Sequence, residues 1–235
     1  MTAELLIESL QMLADKDKAQ FLQRFFKTGK GQYAEGDIFW GIKVPETRQV
    51  AKAYKGMPLA ELEKIMKNPV HEVRFCGLMI LVEKFNKAKE ADKKRIIDFY
   101  LSNTQYINNW DLVDLSCYKI LGNYLLDKPR DVLYHLAKSK NMWEQRIAIV
   151  STLSFIRNCE FYDTLAISEM LIDHRHDLIH KAVGWMLREL AKRDQYLMLQ
   201  FIEKHYNRQS RTTLRYAIEH LPEEQRKNIL KGQFE

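Results

Sequence analysis

Apolar residues recur at spacings of three and four along most of the chain, and sustained alternation of apolar and polar residues is rare. This is the period of an amphipathic helix, so the pattern predicts an all-α protein of roughly a dozen helices. Each of the five prolines stands just ahead of a helical pattern, as in "PETRQVAKAY" and "PEEQRKNIL", where its missing N–H costs little. Four of the nine glycines fall within residues 29–41, which we expect to be the one long loop.

Five helical segments can be aligned with one another as repeats: "HEVRFCGLMIL", "NNWDLVDLSCYKIL", "WEQRIAIVSTL", "LIHKAVGWMLREL" and "TTLRYAIEHL". One column of this alignment, at steps of 36, 36, 35 and 34 residues, holds Arg74, Trp110, Arg146, Lys181 and Arg215. That step is the length of a two-helix unit. It predicts a right-handed α-solenoid of HEAT-like helix pairs, with a concave groove lined by the second helix of each pair. No linker interrupts the pattern, so residues 1–235 are expected to form a single domain.

The helix predicted over residues 177–194 separates into two faces when it is read at about 100° per residue. Its core face holds Ala182, Val183, Met186, Leu187 and Leu190. The opposite face holds Lys181, Trp185, Arg188 and Lys192. A tryptophan is usually a core residue, but Trp185 lies within a basic stripe. Such a stripe can bind phosphates while the ring packs on a sugar or a base.

The stretch "NNWDLVD" places Trp110 four residues before Asp114, so both side chains point the same way on a helix. In the repeat alignment Asp114 is equivalent to Trp185, and Arg146 heads the repeat between them. Trp110, Asp114, Arg146 and Trp185 are therefore expected to converge on one site in the groove. The alternative interpretation is a plain helix start, in which an aspartate interacts favourably with the helix dipole.

Charge and composition exclude fewer classes of function than the repeats do. The net charge of +6 is compatible with a polyanionic partner but does not establish one. Three distant cysteines, Cys76, Cys117 and Cys159, favour a reducing compartment, and the absence of a signal peptide or membrane-spanning run favours a cytoplasmic location. Neither "DHRHDLIH" nor "GKGQYAEG" has the spacing of a metal or nucleotide motif, so no metal or cofactor is expected.

Three segments, "NNWDLVD", "WEQRIAIV" and "KAVGWMLRELAK", resemble in order and spacing the AlkD-type DNA alkylation repair glycosylases, which are HEAT-like repeat proteins. The resemblance covers nearly the whole chain. It implies that Asp114 is the catalytic carboxylate, that Trp110 and Trp185 are the active-site rings, and that Arg146 contacts DNA. The loop over residues 28–41 is longer than in familiar members, and Phe25 and Phe26 stand in place of an aromatic hydroxyl. A subgroup with its own lesion preference is therefore expected.

The family activity implied is hydrolysis of the N-glycosidic bond of N3- or N7-alkylated purines in duplex DNA, by a monomer without a membrane partner. A cationic base can leave without a general acid, so one carboxylate suffices to stabilise the sugar cation and position water. The expected DNA-binding residues are Arg146, Lys181, Arg188, Lys192 and Arg215. Two alternatives stay open. One is a non-catalytic HEAT scaffold for a protein partner, which does not explain Trp185 in its basic stripe. The other is a DNA-binding relative without excision activity.

Overall fold

The computed structural model describes residues 1–234 and confirms the all-α class. The helices are α1 Ala3–Gln11, α2 Lys16–Phe25, α3 Val44–Ala53, α4 Leu59–Met66, α5 His71–Lys87, α6 Glu90–Ser102, α7 Trp110–Cys117, α8 Asp131–Ala137, α9 Met142–Ser151, α10 Leu153–Arg157, α11 Tyr162–Leu171, α12 Asp177–Ala191, α13 Gln195–Lys204, α14 Arg211–Ala217 and α15 Glu223–Leu230. Residues 1–234 contain no β-strand, only one isolated parallel bridge between Ile38 and Val70.

The helix boundaries follow the prolines, as the sequence predicts. Pro45 lies in the first turn of α3, and Pro58 and Pro222 immediately precede α4 and α15. Pro69 and Pro129 each stand two residues before a helix, α5 and α8. The long loop is also confirmed, since no helix lies between the end of α2 and the start of α3. Proline suits these positions because its fixed φ matches a helix entrance and its absent N–H would be unpaired there.

The chain divides into two compact units, unit 1 over Met1–Ser116 and unit 2 from Cys117 onward. Within unit 1, α1, α3, α4 and α6 pack against α5, whose residues are buried over most of its length. The five aligned segments all contain helices, namely α5, α7, α9, α12 and α14. Some successive helices pack together, as the helices of a solenoid do: α4 with α5, α8 with α9, and α12 with α13. The expected single domain over residues 1–235 stays a prediction.

In unit 2 the central element is α12, which packs against α9, α11, α13 and α14. The predicted core face of α12 is buried as expected: Ala182, Val183, Met186, Leu187 and Leu190. Gly184 permits the close approach of α14, because a Cβ there would lie 2.5 Å from the Cβ of Tyr216 and 2.7 Å from the Thr213 carbonyl oxygen. Among the described residues, no helix combines the length and the apolar character needed to cross a bilayer.

Candidate functional site

Trp110 and Asp114 lie one turn apart on α7, which begins at Trp110, and both side chains are partly exposed. The backbone N–H of Trp110 donates to Oδ1 of Asn109 at 2.9 Å, which satisfies one of the open donors at the helix start. α7 therefore does start at Trp110, but the acidic residue of its first turn is Asp111, and the roles of Trp110 and Asp114 stay predictions. The sequence pattern and the structure agree that these two side chains share one region of unit 1.

The indole of Trp110 lies at one end of a column of nearly parallel stacked rings. The indole stacks on Phe26 with ring centres 5.3 Å apart, and Phe26 stacks on Phe39 at 4.8 Å. Phe39 in turn stacks on the imidazole of His71 at 4.4 Å. Phe25 and Trp110 lie edge to face, with ring centres 6.3 Å apart. These contacts lie in the distance range at which aromatic pairs stabilise a structure beyond simple burial, so the ring of Trp110 is held in place.

His71, at the end of this column, is buried between two carboxylates. Its Nδ1 lies 3.1 Å from Asp37 Oδ2 and its Nε2 lies 2.8 Å from Asp111 Oδ2. Burial disfavours the charged imidazolium, but the charge and hydrogen bonding of Asp111 and Asp37 outweigh it and raise the pKa of His71 to about 9. At neutral pH both ring nitrogens therefore carry a proton and donate to the two carboxylates.

Arg74 completes this buried network and connects it to the segment that leads into α7. Its guanidinium binds Asp37, and its Nε donates to the carbonyl of Tyr106 at 3.1 Å. It also donates to Oδ1 of Asn108 at 2.9 Å. Burial raises the pKa of the Asp37 carboxyl, but hydrogen bonding to His71 and the charge of Arg74 lower it below its usual value overall. The two cations of this network, His71 and Arg74, thus balance the charge of two carboxylates, Asp37 and Asp111. The network holds in place the turn that carries Trp110.

The end of the long loop is held against α5 by a second buried carboxylate. Glu72 accepts backbone N–H bonds from Trp40 at 3.1 Å, from Gly41 at 2.8 Å and from Ile42 at 3.2 Å. Gly41 has φ +81°, and a Cβ there would lie 2.1 Å from the Asp15 carbonyl oxygen. A glycine is needed at this position for both reasons. These bonds hold loop residues 37–42 against the first turn of α5, and the two segments together form the floor of a cavity.

A cavity of about 340 Å³ opens above this floor. It lies within the size range of small-molecule pockets, roughly 300–1,000 Å³. Its lining is largely apolar, with carboxylates and cations at a few points. The lining residues are Lys18, Phe21, Leu22, Phe26, Phe39, Gly41, Ile42, Lys43, Val44, Thr47, His71, Glu72, Phe75 and Asp111.

In unit 2, Arg146 is buried rather than displayed. Only 5% of the residue is exposed, and its guanidinium donates to the carbonyl of Leu178, in the first turn of α12. Arg74 makes an equivalent bond to the Tyr106 carbonyl in unit 1, and both arginines reach 32 residues ahead. These two arginines of the repeat column therefore connect one repeat to the next. The bond to Leu178 uses one nitrogen of the Arg146 guanidinium, and the low exposure leaves little of the side chain for a phosphate to reach.

The basic stripe of α12 exists, but all three of its cations are paired with carboxylates. Trp185 is partly exposed and the flanking cations are at the surface, as predicted. The ion pairs are Lys181 with Asp177 at 2.8 Å, Lys192 with Glu189 at 2.6 Å, and Arg188 with Glu219. Arg215, on α14, is exposed. Surface pairs of this kind contribute little stability, so a phosphate can replace the carboxylate at small cost. The convergence of the α7 and α12 residues on one site stays a prediction.

The histidine-rich segment before α12 is a helix cap. Nδ1 of His176 accepts the Leu178 N–H at 3.2 Å, and His180 bonds the carbonyl of His174. Over the described part of the chain, no group of three or more His, Cys, Asp or Glu side chains is arranged to hold a metal ion.

The comparisons with known proteins agree with this architecture. A family profile described as "DNA alkylation repair enzyme" matches residues 6–221. A solved structure described as a "Predicted DNA alkylation repair enzyme from Enterococcus faecalis" has the same fold, with a TM-score of 0.72 and 16% sequence identity over 89% of this chain and 97% of that chain. No curated protein sequence matches. Because the family profile spans most of the sequence, the chain belongs to the DNA alkylation repair enzyme family.

Proposed function

We propose that this chain is a DNA glycosylase that hydrolyses the N-glycosidic bond of cationic N3- or N7-alkylated purines in duplex DNA. The observation that carries the proposal is the pairing of Trp110 with Asp114, one turn apart and partly exposed on α7, in a chain of the alkylation repair family. An aromatic face and a carboxylate side by side suit a reaction in which positive charge develops on a sugar.

The reaction needs only one carboxylate. When the bond between the sugar C1′ and the purine nitrogen breaks, the electron pair stays with the cationic base, which leaves neutral. The positive charge that remains on the sugar is stabilised by ionised Asp114, and water then adds to C1′ and gives a proton to that carboxylate. A neutral base would leave as an anion and would need a proton donor. Cationic lesions are therefore the substrates that this site favours.

The supports of Trp110 give it a defined orientation. Phe26 covers one face of the indole, so the exposed remainder of the ring is what a cationic sugar can reach. The buried network of His71, Asp111 and Arg74 holds the first turn of the same helix. A preorganised ring costs no reordering when charge develops, and this supports a role for Trp110 at the reacting sugar.

Unit 2 contributes to DNA binding in this proposal through exposed and partly exposed cations of α12 and α14. DNA phosphates replace the surface carboxylates or the solvent around four cations: Lys181, Arg188, Lys192 and Arg215. Trp185 lies between the cations of α12. Arg146 acts indirectly, since its bond to Leu178 holds the first turn of α12. It is a positioning residue here, and no direct DNA contact is assigned to it.

The test is release of free base from duplex DNA that contains 7-methylguanine, compared with duplex DNA that contains uracil. We expect release of 7-methylguanine only. Asp114→Asn should lower the single-turnover rate by about 100-fold or more while DNA affinity changes little. Asp131→Asn is the matched control, since Asp131 is an exposed aspartate in the first turn of α8. Equal release by wild type and Asp114→Asn would remove Asp114 from the mechanism.

A further inference from the structure

Helix α2 presents two phenylalanine rings to solvent. Phe21 is 59% exposed and Phe25 is 54% exposed, and their rings stack 6.1 Å apart at an angle of 17°. No residue of α2 is buried, although the helix carries three large apolar side chains. Exposed aromatic rings in contact with each other usually mark a binding surface in a soluble protein. Because Phe25 also contacts Trp110 edge to face, this surface is continuous with the α7 site.

The chemistry around the two rings is strongly basic. Residues 16–30 contain five cations and one aspartate, a balance of +4 out of +6 for the whole chain. At 3.6 residues per turn, Lys18, Phe25, Phe21 and Arg24 fall in this order within about 120° of the helix circumference. A cation therefore stands on each side of the ring pair. Lys18 pairs with Asp15 at the surface, where the attraction is weak and easily exchanged.

The two flanks of the ring pair differ in character. On the Lys18 side lies the apolar cavity of about 340 Å³, and Phe21 lies at its opening because it both lines the cavity and faces solvent. On the Arg24 side a shallow polar depression is lined by Gln20, Gln23, Arg24, Thr28, Gly29 and Gln32. Apolar rings beside an aromatic cavity, with cations on both sides, suit a flat ring attached to an anionic backbone.

We propose that Phe21 and Phe25 form a stacking surface for a nucleobase that has left the DNA helix, with Lys18 and Arg24 on the adjacent phosphates. The inference rests on the proposed function only in taking DNA as the partner. A paired base keeps both faces inside the helical stack, so exposed phenyl rings have no access to it. A displaced base offers a free face, and the cavity beside Phe21 has room for it.

The test uses equilibrium binding, which does not depend on excision. One probe is a duplex with a single unpaired 2-aminopurine, and the other is the same duplex fully paired. We expect tighter binding to the unpaired probe, together with quenching of 2-aminopurine fluorescence by stacking. Phe21→Leu and Phe25→Leu keep apolar bulk but remove the planar face. Each should weaken binding to the unpaired probe about tenfold, on the scale of one lost base–ring contact, and affect the paired probe much less.

Three controls separate the possible causes. Tyr196→Leu removes another ring, 72% exposed on α13, and should change nothing. Arg24→Gln should weaken both probes equally and lower the salt dependence. Far-UV circular dichroism should match the wild type for both leucine variants. The melting temperature should match for Phe21→Leu, whereas Phe25→Leu also removes ring contacts with Phe26 and Trp110. Equal affinity for the two probes, or an unpaired probe bound normally by both leucine variants, would overturn the inference even in a protein that excises bases. Lack of excision with these preferences intact would refute only the proposed function.

Discussion

The buried imidazolium of His71 makes the stability of unit 1 depend on pH in a definite direction. Its folded pKa is about 9, above the ordinary value of 6.5. The folded state therefore holds this proton more tightly than the unfolded state does. The stabilisation is complete below about pH 6.5 and is lost as the pH rises through about 9. A carboxylate with a lowered pKa would behave in the opposite way, with its contribution lost as the pH falls.

The size of the effect follows from the shift. One pKa unit corresponds to about 1.4 kcal/mol, so the rise of His71 is equivalent to about 3 kcal/mol between pH 6.5 and 9. Solvent screening is minor because only 2% of the residue is exposed. The buried Cys76 thiol, whose pKa burial raises to about 12, destabilises the fold only above about pH 9. Three other histidines have pKa values that burial lowers below 6.5, so they change the stability only below about pH 6.5: His174, His205 and His220.

The assay is urea denaturation of wild type and His71→Gln between pH 6.5 and 9, with tryptophan fluorescence as the signal. The variant is expected to be less stable at pH 6.5, because Asp37 and Asp111 lose a charged partner. The difference in unfolding free energy between the two proteins should shrink by about 3 kcal/mol as the pH rises to 9. Asp111→Asn should show a shallower pH dependence than the wild type, since the carboxylate that contributes most to the shift is removed.

Two results would refute this reasoning. Parallel pH profiles for wild type and His71→Gln would mean that His71 does not change its protonation in this window. A wild-type stability that increases from pH 6.5 to 9 would mean that the buried ring is neutral, in which case burial would outweigh the two carboxylates.

Two further predictions concern DNA affinity and the packing of α12. Affinity for undamaged duplex DNA should fall steeply with salt, and replacing Lys181 or Lys192 by Gln should each lower the slope of log affinity against log salt by about 0.9. Binding that does not respond to salt would favour a protein scaffold instead. Gly184→Ala should destabilise unit 2 by at least about 1–3 kcal/mol, because the added methyl meets α14 backbone and Cβ atoms that cannot move away easily. Thermal unfolding measures this, and an unchanged melting temperature would contradict it.

The fold was predictable because its signals are local. A period of 3.6 residues, a proline in a first turn and a cluster of glycines each act within a few residues of one another. The faces of α12 were predictable for the same reason, since its apolar residues recur regularly and Trp185 falls among the cations. Helix α5 was harder to interpret because it is buried on nearly all sides, and its charged residues Glu72 and Arg74 are inside.

The network around His71 could not be predicted in this way. Its partners Asp37 and Asp111 lie 34 and 40 residues away, and no periodicity connects them. Asp111 stands directly after Trp110 in the motif "NNWDLVD". The helical spacing of four residues from Trp110 selects Asp114 and passes over Asp111. The resemblance draws attention to Phe26, but nothing in the sequence shows that its ring stacks on Trp110. Long-range partners of this kind are visible only once the loop between α2 and α3 has been placed.

Repeat alignment identifies equivalent positions, but it does not say which of them face solvent. Arg74 and Arg146 share a column with Lys181 and Arg215, yet the first two are buried and the last two lie wholly or partly at the surface. Residue type alone does not explain the difference, because Arg215 is exposed although it is an arginine. Arg74 and Arg146 are buried where their guanidinium donors are satisfied by carbonyls of the next repeat. A lysine ammonium is more strongly hydrated and stays near water. A basic residue in a helical repeat is therefore evidence for DNA binding only if its donors are not already bonded to backbone carbonyls of a neighbouring repeat.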